Sequence, residues 1–306
     1  MASEASRALS KLYDTWAATF ASGPDLPTVR AMLEGWGTMS TEPEGVAYEE
    51  VMCGRVPGLW AIPKGCAQDR VLLGLHGGAF SGGSRQSHRK MFAHIAKAIG
   101  CRALIPEYRL APEHLFPAAL DDAHATYQWL LDQKFVGRHI VIAGDSAGGA
   151  LTLSLQFRLR DEGKPLPAAS LLISPLTDLA ATGASLAANT GQDVLATVAS
   201  ISGTAAGYLG PDGDKYKRDP LASPLYGNFR GLSPMYIQVG GAEGLLDDSR
   251  RVADKARAAG TDCKIDIYPE MQHVFHCMVG NAPEADQAVA DAAAWAKPKL
   301  ALGNKR

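Results

Sequence analysis

Residues 140–149 read Ile-Val-Ile-Ala-Gly-Asp-Ser-Ala-Gly-Gly, an apolar run that ends in a serine between glycines. Gly144, Ser146 and Gly148 fit the G-x-S-x-G pattern, in which a strand turns sharply into a helix and lifts the serine hydroxyl above the sheet edge. The glycines meet a steric need, because such a turn brings neighbouring backbone too close for side chains. The pattern makes Ser146 a candidate nucleophile. Its more ordinary alternative is to cap the helix that begins near Ala147.

The composition indicates a globular protein whose partner is a small molecule. Of the 306 residues, 46% are hydrophobic and 20% are charged, which excludes the disordered and fibrous classes. Lys plus Arg number 30 against 32 Asp plus Glu, a formal net charge of -2. The chain therefore lacks the charge signature of proteins that bind nucleic acid or anionic membranes. Length alone does not distinguish two small domains from one large α/β domain.

The cysteines and the amino terminus indicate a reducing compartment. The 5 cysteines are scattered without C-x-x-C spacing, and an odd count argues against a disulfide framework. The first residues lack the basic-then-apolar order of a signal peptide, and no apolar run approaches the ~18 residues of a membrane helix. We therefore expect a cytoplasmic protein with no stable membrane association.

Short β-rich apolar runs alternate with helical segments along most of the chain. This alternation predicts an α/β fold with a mostly parallel sheet and helices on both faces. Ahead of it, residues 46–62 have strand-like composition interrupted at Gly54-Arg55 and at Pro57-Gly58, which predicts antiparallel strands. The predicted parallel strands are 71–75, 103–106, 140–143, 169–173, 235–239 and 264–268, and the predicted helices are 84–99, 117–131, 147–160, 245–259 and 284–297.

Two segments outside this alternation are expected to form a helical cap over the catalytic domain, which spans 46–306. Residues 1–45 hold two apolar stripes at helical spacing, separated by Ser22-Gly23-Pro24, and so predict a helical hairpin. Residues 179–230 hold no strong strand, only a weak helical pattern over 192–208 and a turn-rich loop. An insertion of this length in a compact domain is usually functional.

The glycine-rich loop after strand 71–75 is a candidate oxyanion site. It reads His76-Gly77-Gly78-Ala79-Phe80, and its glycines leave backbone N–H groups open to a ligand. Such donors stabilise the oxyanion of acyl transfer by about 3 to 4 kcal/mol each. We expect the N–H groups of Gly77, Gly78 and Ala147 to bind the oxyanion, and His76 to shape the loop by hydrogen bonding. The spacing matches neither a dinucleotide-binding nor a P-loop motif.

A serine nucleophile requires a histidine base and a carboxylate that orients it. After a serine elbow, the acid comes next along the chain and the histidine last, which leaves His273 and His276. His273 lies in the loop after strand 264–268 and is favoured, whereas His276 has apolar neighbours. Glu243 follows strand 235–239 most closely. Asp247 is the alternative acid, although it and Asp248 begin a helix, where carboxylates interact favourably with the helix dipole.

These motifs, taken in order, resemble the bacterial hormone-sensitive-lipase-like family (family IV) of α/β-hydrolase carboxylesterases. The matching stretches are His76-Gly77-Gly78-Ala79-Phe80, Tyr108-Arg109-Leu110-Ala111-Pro112-Glu113-His114 with Phe116-Pro117-Ala118-Ala119 and Asp121-Asp122, Gly144-Asp145-Ser146-Ala147-Gly148-Gly149, Gly244-Leu245-Leu246-Asp247-Asp248-Ser249, and Met271-Gln272-His273-Val274-Phe275.

The resemblance implies an α/β-hydrolase fold with Ser146 as nucleophile, His273 as base and Glu243 as acid. It also implies that the segment 108–114 is structural. Two positions depart from the family pattern, which has Asp-Pro at Glu243-Gly244 and a third glycine at Ala79. One extra methylene moves a carboxylate by roughly 1.5 Å, so the loop that carries Glu243 must be set back.

We therefore predict a serine carboxylesterase for short- to medium-chain acyl esters that works through an acyl-enzyme, with no metal or organic cofactor. The same triad could instead open a lactone or cleave an amide or carbamate, because the pocket selects the substrate. A receptor without catalysis is a remote alternative, because receptors that resemble this family lack the histidine that His273 provides. The strand 264–268 could be a free sheet edge that supports a homodimer.

Overall fold

The computed structural model describes residues 2–302, which form an eight-stranded sheet flanked by helices. The strands are β1 (Val46–Cys53), β2 (Val56–Pro63), β3 (Ala67–Leu75), β4 (Cys101–Pro106), β5 (Ile140–Asp145), β6 (Ala169–Ile173), β7 (Met235–Gly240) and β8 (Cys263–Tyr268). The helices are α1 (Glu4–Ala21), α2 (Leu26–Leu33), α3 (Arg85–Ile99), α4 (Ala118–Asp132), α5 (Ala147–Asp161), α6 (Ser185–Ala188), α7 (Val198–Leu209), α8 (Leu246–Ala258) and α9 (Pro283–Lys299), with short 3-10 turns between some of them.

The strands lie in the order β1-β2-β4-β3-β5-β6-β7-β8, which confirms the predicted α/β-hydrolase architecture. β2 pairs antiparallel with both β1 and β4, and every later pairing from β3 to β8 is parallel. Because parallel strands share one direction, the loops that follow β3, β5, β7 and β8 emerge at the same edge of the sheet. In open parallel sheets, ligands bind at this carboxyl edge.

Burial on both faces explains the sequence of the central strands. All six residues of β5 are buried, as expected for a parallel strand covered by helices on both sides. One face packs against α3, α9 and the buried residues of α1, including Leu9 and Tyr13. The other packs against α4, α5 and α7, so the sheet is the middle layer of three.

The amino-terminal hairpin forms as predicted and packs on the sheet domain through aromatic side chains. Asp25 caps α2 by accepting a hydrogen bond from the backbone N–H of Thr28. Trp16 lies between Tyr13 and Trp36, with ring centroids 5.5 and 5.3 Å apart, and Trp36 contacts His88 of α3 with ring centroids 5.6 Å apart. The apolar stripes of the hairpin are therefore buried against protein, as an amphipathic helix requires.

Two boundaries differ from the sequence-based predictions. Pro57 and Gly58 do not interrupt a strand but lie inside β2, where a Cβ at Gly58 would meet Cys53 Sγ at 3.1 Å. The helical pattern at 192–208 becomes helix only from Val198, the first residue of α7. Before it, Asp193 Oδ1 accepts hydrogen bonds from the backbone N–H groups of Leu195 and Ala196, which hold a turn that competes with helix.

Within residues 2–302, no helix combines the length and the apolar character needed to span a membrane.

Candidate active site

Ser146 stands at the turn between β5 and α5, in a backbone conformation that few residues adopt. Its φ is +52°, in the positive region that is unfavourable for residues with a side chain. The flanking glycines are required, since a Cβ at Gly144 would lie 2.1 Å from Gly148 O and one at Gly148 would lie 1.9 Å from Leu75 O. Close backbone packing therefore forces the sharp turn and presents the Ser146 side chain to a cavity that it lines.

His273 and Glu243 are brought together from two different loops. His273 follows β8, Glu243 follows β7, and Glu243 Oε2 lies 2.9 Å from His273 Nδ1. The Glu243 side chain is fully buried, and His273 lines the same cavity as Ser146. This pairing selects the tautomer with the proton on Nδ1 and leaves Nε2 as the acceptor.

The structure shows how the Glu243 loop accommodates the longer acid. The carboxylate folds back over the end of β7, where Glu243 Oε1 accepts hydrogen bonds from the Gly240 N–H and the Ser174 hydroxyl, both at 2.6 Å. A Cβ at Gly240 would lie 2.1 Å from Met271 O, so the loop lies tightly against the segment that carries His273. Because the Glu243 side chain folds back in this way, its extra methylene does not carry the carboxylate past His273.

Electrostatics in the pair favour a histidine that holds its proton more strongly than usual. Burial acts to lower the pKa of His273, but the hydrogen bond and the charge of Glu243 outweigh it, so the pKa lies above its ordinary value. A base with a raised pKa accepts a proton more readily once it is neutral.

The alternative acid, Asp247, makes its contacts elsewhere. Its Oδ2 accepts the Ser185 backbone N–H at 2.9 Å, and its own N–H donates to Ser185 Oγ. Asp247 therefore ties the start of α8 to α6, whereas Glu243 is the carboxylate that contacts His273.

One predicted oxyanion donor is corrected by the geometry. The Gly77 N–H donates to Asp145 Oδ1 at 3.1 Å, and a Cβ at Gly77 would lie 2.2 Å from Asp145 Oδ2. Gly77 is therefore packed against Asp145 and its donor is already used, so its selection from the glycine pattern was wrong. Gly78 and Ala79, both at positive φ, line the cavity with Ser146.

The loop that holds Gly78 and Ala79 is supported from beneath by aromatic residues. His76 stacks on Tyr108 with ring centroids 4.1 Å apart, and its Nδ1 lies 2.8 Å from Gly77 O. Burial lowers the pKa of His76 to about 3, so the ring is neutral. The Ala111 N–H donates to Phe80 O, and Glu113 pairs with Arg30 at 2.7 Å. These contacts agree with the loop-shaping and structural roles expected of this region.

His276 is buried away from the cavity. Its Nε2 lies 3.1 Å from Gln238 Oε1, and burial lowers its pKa to about 3. A packed, neutral histidine is the interpretation that its apolar neighbours favoured.

Ser146 and His273 open onto a largely apolar cavity of about 680 Å³. Its walls come from the amino-terminal hairpin and from α7, and its lining within the described residues contains no Asp, Glu, Lys or Arg. His273 is hydrogen-bonded to Glu243 through Nδ1, and the contact between a nucleophile and its base often tightens only when substrate is bound. The site suits a neutral, apolar ligand.

Three residues near the site were not identified from the sequence: Tyr13, Asp145 and Ser174. Ala79, named from the sequence only as a departure from the family pattern, lines the cavity. Ser174 could have been found, because it directly follows β6 at the carboxyl edge of the sheet. Asp145 lies inside the serine motif at a position the pattern leaves free.

Comparisons with known proteins place this arrangement among ester hydrolases. A family model described as the α/β-hydrolase fold matches residues 72–277. An acetyl-hydrolase of Streptomyces hygroscopicus is 38% identical over 93% of this chain and 100% of its own length, and an esterase of Acinetobacter venetianus is 37% identical over 74% of each chain.

Solved structures agree over nearly the whole chain. A mutant of the esterase E40 superimposes with a TM-score of 0.93 at 37% identity, covering 97% of this chain and 99% of its own. An esterase from the bacterial hormone-sensitive lipase family gives a TM-score of 0.91 at 36% identity, covering 98% and 99%.

Proposed function

The chain belongs to the bacterial hormone-sensitive-lipase-like esterases of the α/β-hydrolase fold, and on this premise we propose that it hydrolyses carboxylic esters through Ser146, His273 and Glu243. The observation that carries the proposal is the 2.9 Å contact between Glu243 Oε2 and His273 Nδ1 at the cavity that Ser146 also lines. The site therefore holds a nucleophile, a base and the carboxylate that orients the base.

The proposed reaction has two steps. Ser146 Oγ attacks the ester carbonyl while His273 Nε2 takes its proton, and the alcohol leaves with that proton as the acyl-enzyme forms. Water then attacks the acyl-enzyme with His273 again as base, which releases the acid and restores Ser146. In both steps Glu243 stabilises the imidazolium and holds the Nδ1–H tautomer.

The oxyanion is bound in this proposal by the N–H groups of Gly78, Ala79 and Ala147. Ala79 takes the place of Gly77 among the expected donors, because the Gly77 N–H already donates to Asp145. Ala147 begins α5, so its N–H is among the first four of the helix, which have no partner in the helix itself. No step requires a metal ion or an organic cofactor.

We propose that the amino-terminal hairpin and residues 179–230 act as the cap that selects the substrate. Phe20 and Trp36 of the amino-terminal segment and Ile201 of α7 line the cavity. Its size and apolar walls support short- to medium-chain acyl esters.

A panel of p-nitrophenyl acetate, butyrate, octanoate and palmitate, with one lactone, tests the proposal. We expect the three shorter esters to be turned over and palmitate to be a poor substrate. Ser146→Ala should remove turnover of every substrate while thermal unfolding stays cooperative. Full activity in Ser146→Ala would refute the proposed nucleophile, and a preference for the lactone would refute the substrate class.

A further inference from the structure

Val274, the residue that follows His273, has an unusual backbone conformation. Val274 has φ +51° and ψ +40°, the left-handed region, which is a genuine outlier for a β-branched residue. Such conformations persist only where the surrounding structure holds them, and they cluster at active sites. The Val274 side chain is buried, so packing is one part of that support.

A hydroxyl from the amino-terminal hairpin holds the carbonyl end of the peptide that joins His273 to Val274. Tyr13 Oη donates to His273 O at 2.8 Å and accepts from Trp36 Nε1 at 3.1 Å. The Tyr13 side chain is 1% exposed, so water does not compete for the bond. Since Trp36 also lines the cavity, the hairpin extends from the substrate cavity to the backbone of His273.

A second hydroxyl holds the other end of the same peptide. The Val274 N–H donates to Ser174 Oγ at 3.2 Å, and the Ser174 hydroxyl donates to Glu243 Oε1 at 2.6 Å. Ser174 is fully buried. Glu243 is therefore connected to His273 twice, directly at the ring through Oε2 and through Ser174 at the backbone.

We propose, on the basis of the proposed function, that Tyr13 and Ser174 are positioning residues that fix the His273–Val274 peptide and thereby the aim of the His273 ring. A rotation about ψ of His273 that φ of Val274 does not compensate turns the bonds at the His273 Cα, and so moves the ring relative to Ser146. A small misplacement of a catalytic group is sufficient to slow the reaction strongly. The amino-terminal hairpin is thus a support of the catalytic base as well as a wall of the cavity.

Tyr13→Phe tests the carbonyl contact by removing a single oxygen atom. We expect kcat for p-nitrophenyl butyrate to fall about 10-fold with KM unchanged within about twofold, because a displaced base slows chemistry more than binding. The pH of the kcat/KM inflection should stay in place, since Tyr13 touches neither the ring nor the Glu243 carboxylate.

Tyr127→Phe is the matched control. Tyr127 is also fully buried, and its Oη donates to a main-chain carbonyl, Pro165 O, at 3.0 Å. It lies on α4 outside the cavity. We expect the melting temperature to fall similarly in the two variants but kcat to fall only in Tyr13→Phe. A kcat in Tyr13→Phe no lower than in Tyr127→Phe would overturn the proposal.

Ser174→Ala and the double variant with Tyr13→Phe complete the test. Because both hydroxyls hold one peptide, we expect the kcat loss in the double variant to be smaller than the product of the single losses. Multiplicative losses would show two independent effects and reject the shared role. Failure of the proposed function itself is separate, since it would appear as a wild-type enzyme without turnover.

Discussion

Two buried histidine–carboxylate pairs flank Ser146, and they differ in what the second ring nitrogen contacts. Glu243 Oε2 lies 2.9 Å from His273 Nδ1, and Asp145 Oδ2 lies 3.2 Å from His88 Nε2. Both carboxylates are fully buried. In the second pair, His88 Nδ1 lies 2.9 Å from Ser87 Oγ, whereas His273 lines the cavity.

Access to the cavity, and not burial or pairing, separates a candidate base from a structural histidine. His88 has a partner at each ring nitrogen and supports Asp145, whose other oxygen holds the Gly77 N–H. The Asp145–His88 pair therefore holds the loop 76–80, which is proposed to bind the oxyanion. The Glu243–His273 pair leaves one nitrogen for proton transfer.

The largest contrast is expected between matched amide substitutions in the two carboxylates. Glu243→Gln should lower kcat about 10³- to 10⁴-fold, because an amide no longer stabilises the imidazolium or fixes the tautomer. Asp145→Asn retains an oxygen for the Gly77 N–H, so we expect a loss of about 10-fold. Steady-state kinetics on p-nitrophenyl butyrate measure both. Equal losses would remove the distinction between the pairs.

A smaller loss is expected when the oxyanion loop is displaced. In Gly77→Ala the new Cβ would lie 2.2 Å from Asp145 Oδ2, so the loop must move and kcat should fall about 10²-fold. Gly54→Ala is the control, because a Cβ at Gly54 would meet no atom within 4 Å, and Gly54 lies at the turn between β1 and β2, outside the cavity lining. Equal activity in the two variants would contradict the role of Asp145 in holding this loop.

The smallest effect concerns the pH profile. His273 must be neutral to act as base, so kcat/KM should rise with pH through its pKa, which the hydrogen bond and charge of Glu243 hold above the ordinary histidine value against the effect of burial. Glu243→Gln removes the cause that raises the pKa and should move the inflection to lower pH. In His88→Gln the inflection should stay in place. If the inflection instead moved in His88→Gln and stayed in place in Glu243→Gln, the titrating group would belong to the Asp145–His88 pair.

The sequence was sufficient to predict the fold. It also selected Ser146 from its glycines and His273 from its place after the last strand, and the structure brings both residues to one cavity. The alternation of strands and helices predicted the sheet, because a strand that is buried on both faces is apolar throughout, as in β5.

What could not be predicted depends on orientation and on contacts between distant residues. Gly77 and Ala79 differ in their surroundings: the Gly77 N–H donates to Asp145 Oδ1, whereas Ala79 has a positive φ and lines the cavity. Tyr13 and His273 are 260 positions apart, and a single tyrosine in an apolar helical stripe is indistinguishable from an ordinary packing residue. The place of Ser174 after β6 can be read from the sequence, but its contacts with Glu243 and Val274 join residues 69 and 100 positions apart.

We propose that His273, and not His88, activates Ser146. Labelling with a fluorophosphonate, followed by mass spectrometry of the modified peptide, tests it directly in the wild type, His273→Ala and His88→Gln. We predict a label on Ser146 in the wild type and in His88→Gln, and a labelling rate lowered about 10³-fold or more in His273→Ala. Undiminished labelling in His273→Ala, or loss of labelling in a folded His88→Gln variant, would contradict the assignment of His273 as the base.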